Sequence, residues 1–195
     1  FATDGKGFIY ECKIIEISKT NLSADILSKT ESDNEPKPKI TLALGLLKNS
    51  SKYDFVVEKA TELGVKEIIP FTSKFTISEK PKIERWQNLA ISAMKQSQRA
   101  YLPKVSECIK YERLIELDFD YKLIAEKDAG NIIFTPSKCN PSILVVVGPE
   151  GGFSDEEIDK ALQNDFIKLK LSNMRLRAET AAIVAIPLIL ANFNL

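Results

Sequence analysis

The stretch Ile143-Leu144-Val145-Val146-Val147-Gly148-Pro149-Glu150-Gly151-Gly152-Phe153-Ser154 decides the fold. Its opening apolar run, rich in β-branched residues, reads as a strand buried on both faces, and such strands belong to parallel sheets. Gly148, Gly151 and Gly152 then form a turn that leads into an acidic helix start, Asp155-Glu156-Glu157. Ser154 and Glu157 have the spacing of a capping box. A second stretch, Leu171-Ser172-Asn173-Met174-Arg175-Leu176-Arg177-Ala178-Glu179-Thr180-Ala181, likewise follows a strand and opens a helix. Two such loops at strand ends are where an open α/β sheet builds a ligand site.

Outward from these loops, strands alternate with helices. Strands are predicted at Ile40–Leu47, Glu67–Phe71, Tyr121–Ala125, Ile143–Val147 and Ile167–Leu171. Helices are predicted at Ser51–Leu63, Glu84–Tyr101, Asp155–Gln163 and Ala178–Asn192. The first carries the apolar stripe Tyr53, Val56, Val57, Ala60 and Leu63 and stops at Gly64. The last is apolar almost all round, so it is expected to be buried on every side, with Pro187 kinking it or ending its regular hydrogen bonding. This alternation predicts a mostly parallel sheet covered on both faces. Residues 7–30 alternate differently, as strands: Phe8, Tyr10, Cys12 and Ile14 share one face, and Leu22, Ala24 and Ile26 another. They read as part of a small β-barrel. Ser32 to Pro38 reads as a linker.

At 195 residues the chain holds one ordinary domain, or one with a small appendage. Its 27 basic and 27 acidic residues cancel, which argues against a general electrostatic grip on nucleic acid. No run is long enough to span a bilayer, and no secretory signal is expected. Cys12, Cys108 and Cys139 read as reduced cytosolic thiols, consistent with a cytoplasmic protein. The absence of histidine removes Ser-His-Asp and Cys-His catalysis and most zinc sites, so no metal is expected. The chain starts at Phe1 without a methionine, so a preceding segment is expected.

The glycine turn is not a phosphate loop: its spacing is neither G-x-G-x-x-G nor Walker. Capping carboxylates already occupy the positive helix end. A ligand there should be neutral or positive. Taken alone, the motif is equally a well-capped turn with no ligand, and Arg175, Arg177, Glu179 and Thr180 are equally a helix cap with a surface ion pair. Residues 72–113 hold nine basic residues against Glu79, Glu84, Glu107 and Glu112. This suits a phosphate backbone or a solvated helix face.

Together these residues resemble the RsmE-type methyltransferases of the SPOUT superfamily. The likeness rests on Gly148 to Ser154, Leu176-Arg177-Ala178-Glu179-Thr180-Ala181 and Glu58-Lys59-Ala60-Thr61-Glu62-Leu63-Gly64-Val65. Arg85-Trp86 and Gln96-Ser97 with Arg99 and Pro103 add to it, in the family's order from about residue 40 onward. The resemblance implies an α/β SPOUT methyltransferase domain over 39–195 with a C-terminal trefoil knot. It also implies part of a PUA-like β-barrel RNA-binding domain over 1–35, and a homodimer. The implied activity moves a methyl group from S-adenosylmethionine to N3 of a uridine in 16S ribosomal RNA of the small subunit.

The same resemblance places Gly148, Glu150, Gly151, Gly152, Leu171 and Ser172 around the cofactor, with Leu176, Thr180 and Glu126. A sulfonium suits a glycine loop edged with acids. Uridine N3 is protonated and lies on the pairing edge, so the base must be swung out and the proton removed or shared. Without histidine, the candidates are Arg177, stabilising the uridine anion, and Glu179 as base. Lys48, Lys82, Arg85, Gln96, Arg99 and Arg175 are the expected RNA contacts.

The chain departs from the family in having Ser172 for glycine, Met174 beside Arg175 where an arginine is common, and Phe75 for an arginine after the second strand. These departures keep open a second reading, a binding-only RNA or assembly module. A third is a SPOUT enzyme with another target, such as transfer-RNA ribose.

Overall fold

The computed structural model describes residues 1–77, 80–129 and 138–193. A small antiparallel sheet comes first: β1 (Ala2–Thr3), β2 (Phe8–Ile17) and β3 (Leu22–Glu31). Then follow β4 (Lys39–Gly45), α1 (Ser50–Glu62), β5 (Glu67–Thr72) and α2 (Ile83–Gln96). The short elements β6 (Lys104–Val105), β7 (Ile109–Lys110) and α3 (Tyr111–Ile115) precede β8 (Tyr121–Ala125) and β9 (Ser142–Val147). The chain ends with α4 (Asp155–Gln163), β10 (Phe166–Leu169), α5 (Ala178–Leu190) and a 3-10 turn.

The large sheet has the order β10-β8-β9-β4-β5-β6, with β7 also on β5, and every pairing in it is parallel. Strand alternation sends Ile143, Val145 and Val147 to one face, where they meet the core of α1, α2 and α5. Leu144 and Val146 point to the other, into the core of α3 and α4. This is why β9 reads as an unbroken apolar run: it has no solvent face. On the first face Tyr53 stacks on Trp86 with ring centroids 3.9 Å apart. The Tyr53 hydroxyl donates to the Leu44 carbonyl at 3.3 Å, and the Trp86 indole N–H to Asp54 at 3.0 Å, so both polar tips are satisfied.

Local signals explain several boundaries. The Asn49 side chain accepts from the Ser51 N–H at 2.9 Å and starts α1; Gly64, with φ 89°, follows its end. The Ser154–Glu157 capping box is present at α4. The predicted helix to Tyr101 instead stops at Gln96, because Arg99 is drawn elsewhere. Its guanidinium donates to the Thr61 carbonyl at 2.6 Å and the Val65 carbonyl at 3.1 Å, around the end of α1. It also grips Glu35 at 2.7 and 3.3 Å. The predicted linker is therefore fastened down: Glu35 holds Arg99, Lys66 and the Tyr101 N–H.

The predicted burial of α5 on every side is corrected. Ala182, Ala185, Ile186 and Ile189 are buried, but Pro187 and Leu188 face outward, Leu188 at 41% exposure. Pro187 does not end the helix, which continues to Leu190. In the small sheet, register pairs Cys12 with Ile26 and Ile14 with Ala24, so the two predicted apolar sets share a face. Ile14, Ile17, Leu22 and Ile26 are exposed, as expected of a sheet too small to cover itself. It is joined to the rest through Gly7 N–H to the Ala100 carbonyl at 2.9 Å and Leu102 N–H to the Gly5 carbonyl at 2.9 Å.

Burial pushes the Glu35 carboxyl up, but Arg99 and Lys66 outweigh it and hold it below the ordinary value of 4.5. Its contribution to stability is complete above that value and is lost as pH falls through the lowered one. Glu35→Gln should therefore flatten the acid side of a stability-versus-pH curve. Arg99→Ala, which leaves the buried Glu35 carboxylate with only Lys66 and the Tyr101 N–H, should cost about 3 kcal/mol in urea unfolding.

Candidate active site

The carboxyl ends of β8, β9 and β10 open into one cleft of about 860 Å³. It lies beside the switch point between β9 and β4, where strand order reverses and such sheets bind ligands. One wall is the glycine loop 148–152; the other is the loop 171–177 and the first turn of α5; Glu126 closes the end of β8. At the seam between β4 and β9 the backbones touch. A Cβ on Gly45 would lie 2.6 Å from the Pro149 ring, and the Glu150 carboxylate accepts the Lys48 N–H at 3.1 Å. Gly152 takes φ 70°, with open space where a Cβ would stand. A glycine-walled cleft of this size fits a ligand as large as a nucleoside joined to an amino acid.

The helix end beneath the glycine loop carries its own acidic cap. Glu157 accepts the Ser154 N–H at 2.9 Å and the Lys74 N–H at 2.8 Å, and the Tyr111 hydroxyl donates to the Glu157 carbonyl at 2.8 Å. Burial pushes the Tyr111 hydroxyl well above the ordinary tyrosine range, so it stays a donor. This acidic cap competes with any phosphate for the positive helix end. The first turn of α5 differs: Arg177 is its N-cap residue, and no side chain caps it. Acids and bases share the lining, with Glu126, Asp128 and Glu150 against Lys52, Lys127, Arg175 and Arg177. Such a site suits a ligand that carries both signs.

The RNA methyltransferase domain family matches residues 34–190. A ribosomal RNA small subunit methyltransferase E of Mesomycoplasma hyopneumoniae (strain 232) is 38% identical over 182 residues, covering 89% of this chain and 78% of that protein. The chain belongs to the ribosomal RNA small subunit methyltransferase E family. The structure of such a methyltransferase from Neisseria gonorrhoeae, bound to S-adenosyl methionine, is 32% identical. It matches with a TM-score of 0.88 over 97% of this chain and 81% of the other. A TrmH/SpoU tRNA modifying enzyme of A. aeolicus, 16% identical with a TM-score of 0.50 over 80% of this chain and 77% of the other, shares the α/β fold alone.

Within this family member, Glu126, Gly148, Glu150, Gly151, Gly152, Leu171, Ser172 and Leu176 all line the cleft, with Arg175 and Arg177. Thr180 does not: it lies in the first turn of α5 but is exposed and outside the lining. Ser172 fits without strain. Its φ is not left-handed, and its hydroxyl accepts the Met174 N–H at 3.0 Å, shaping the loop from within. Phe75 packs against Gly151 and remains 42% exposed.

Three expectations need correction. Glu179 is not free to act as a base: its Oε1 pairs with Lys52 Nζ at 3.0 Å, and its side chain is 13% exposed. Burial raises its pKa, but its own backbone N–H, Lys52 and Arg177 outweigh this and lower it. Arg99 cannot reach RNA, since its side chain is 7% exposed and fully bonded inside. The basic residues of 72–113 do not form one footprint. Lys82 and Arg85 lie beside the start of α1, bonded to Ser50 at 3.1 Å and Asp54 at 2.7 Å, whereas Gln96 sits at the other end of α2 beside Glu58 and Glu62. Glu79 lies outside the described residues. Lys52, which no sequence motif marks, is the cleft residue that the sequence reading missed; only its place three residues after a helix cap hinted at a fixed position.

Gly152→Ala should lower stability by about 1–2 kcal/mol, the cost of a Cβ at left-handed φ. The expected sign is a lower urea midpoint at unchanged m-value. The variant should also bind S-adenosylmethionine more weakly in calorimetric titration.

Proposed function

We propose that this chain transfers the methyl group of S-adenosylmethionine to N3 of a uridine in 16S ribosomal RNA of the small subunit. The observation that carries this reading is the cleft itself: a glycine-walled pocket whose other wall bears Arg177, an exposed guanidinium in no ion pair among the described residues. S-adenosylmethionine, when bound, supplies an electrophilic methyl group on a sulfonium. The backbones of Gly148, Gly151 and Gly152 would hold it against Leu171, Ser172 and Leu176, with Glu126 and Glu150 on the acidic side. Arg177 would stabilise the charge that spreads over the uracil carbonyls as N3 loses its proton.

RNA would arrive over Lys48, Lys82 and Arg85, at and beside the start of α1, and over Arg175 in the cleft lining. The small sheet of residues 1–35 is proposed as part of a PUA-like RNA-binding barrel beside a methyltransferase domain spanning 39–195. A C-terminal trefoil knot is proposed for that domain. Its support is that α5 follows edge strand β10 yet packs back over β9, β4 and α1. The outward-facing Pro187 and Leu188 of α5 support a homodimer through that helix. The protein is proposed to act in the cytoplasm.

The direct test is incubation of unmodified small subunits with labelled cofactor, followed by nucleoside analysis. Labelled 3-methyluridine is expected; label on ribose or on another base would sink the proposal. Arg177→Ala should lower turnover about 10²–10³-fold while leaving cofactor binding in place. Leu188→Glu should convert a dimer to monomers in analytical ultracentrifugation.

A further inference from the structure

Lys52 and Glu179 form a pair that local stability does not explain. Lys52 sits in the first turn of α1, where the helix dipole disfavours a cation. Its partner Glu179 has one oxygen on Lys52 Nζ at 3.0 Å, while Oε2 is buried with no hydrogen-bond partner. A buried carboxylate oxygen left unbonded is costly. Two broken local rules in one contact, at the wall of a cleft, mark a functional position rather than a structural one. Lys52 lines the cleft in company with Gly148, Gly152 and Arg177.

We propose that Lys52 is a further catalytic residue, whose ammonium donates to a carbonyl oxygen of the target uracil beside N3, and that Glu179 is the positioning residue that aims it. This rests on the uridine-N3 reading above. The cofactor's carboxylate has other partners at hand, namely the uncapped N–H groups of α5 and Arg175. The Lys52–Glu179 pair is neutral as a whole, so it admits a neutral imide without a charge mismatch. As the N3–H bond breaks, its proton passes to solvent water. The pair left on N3 forms the N3–CH3 bond, and the former S–CH3 bonding pair stays on sulfur. The negative charge passing through the imide then meets two cations, Lys52 and Arg177, against one carboxylate, Glu179. The lowered pKa of Glu179 keeps it ionised and on Lys52 throughout.

The experiment measures single-turnover methyl transfer to unmodified small subunits across neutral and alkaline pH. For Lys52→Met the rate at neutral pH should fall about 100-fold. Its pH–rate curve should move about two units to higher pH, because the uracil must then ionise unaided. Binding of S-adenosylhomocysteine by calorimetry should stay within about twofold of wild type. Lys52→Arg should recover much of the rate. The double variant Lys52→Met/Glu179→Gln leaves no lone buried charge, and its curve should be displaced in the same way even if the single variant unfolds. A variant curve that keeps the wild-type pH dependence overturns the proposal. So does a loss of S-adenosylhomocysteine binding that matches the loss of rate. A wild-type chain that leaves uridine N3 unmethylated overturns the proposed function and this inference with it; the two preceding results overturn this inference alone.

Discussion

The seam between β4 and β9 sets the position of everything else. These two parallel strands run side by side from Lys39↔Ser142 to Leu44↔Val147, and at their ends Gly45 and Pro149 meet with no room for a side chain. Beyond this contact the glycine loop forms one wall of the cleft, which opens at the carboxyl ends of β8, β9 and β10. Glu150 fastens the seam from above through the Lys48 N–H, and Glu157 fastens the far side of the loop through the Lys74 N–H. Both acids are thus bound to backbone, and the glycine backbones between them are held rigid. A site that must orient an electrophile gains from a wall that does not need to be ordered on binding.

The parts of this arrangement that were legible in the sequence are those governed by local chemistry. Tyr121–Ala125 and Asp155–Gln163 begin and end where hydrophobic pattern and caps place them. The glycine loop, the capping box and most of the cleft lining follow from two short stretches. What stayed hidden depends on residues distant in the chain. The end of α2 is set by Arg99 reaching back to Thr61 and Glu35, which no periodicity encodes. The two-residue strands β6 and β7 exist only because β5 offers them an edge. Arg99 reads as an RNA contact in sequence because arginine is usually a surface residue; its burial comes from three partners on two other segments.

The same distinction applies within the site. Glu179 stands two residues from Arg177 in a motif that invites an acid–base reading, yet its geometry makes it a holder of a cation. Lys52 stands far away in sequence and carries no motif, yet it shares the cleft wall. Arg177 and Lys52 approach from different elements, the start of α5 and the start of α1, and those helices pack directly on each other. A change that altered the packing of α1 on α5 would therefore move both cations together.

Neighbouring β4 and β9 are far apart along the chain, and this shapes how the molecule is made. During translation β5 can cover one side of β4 soon after it emerges, but the opposite side stays bare until Ser142–Val147 has been synthesised. For that interval Ile40–Leu44 presents a greasy, unpaired edge, the kind of surface that recruits other nascent chains. The ligand cleft thus becomes possible only after the loop that follows β10 and the start of α5 have been made.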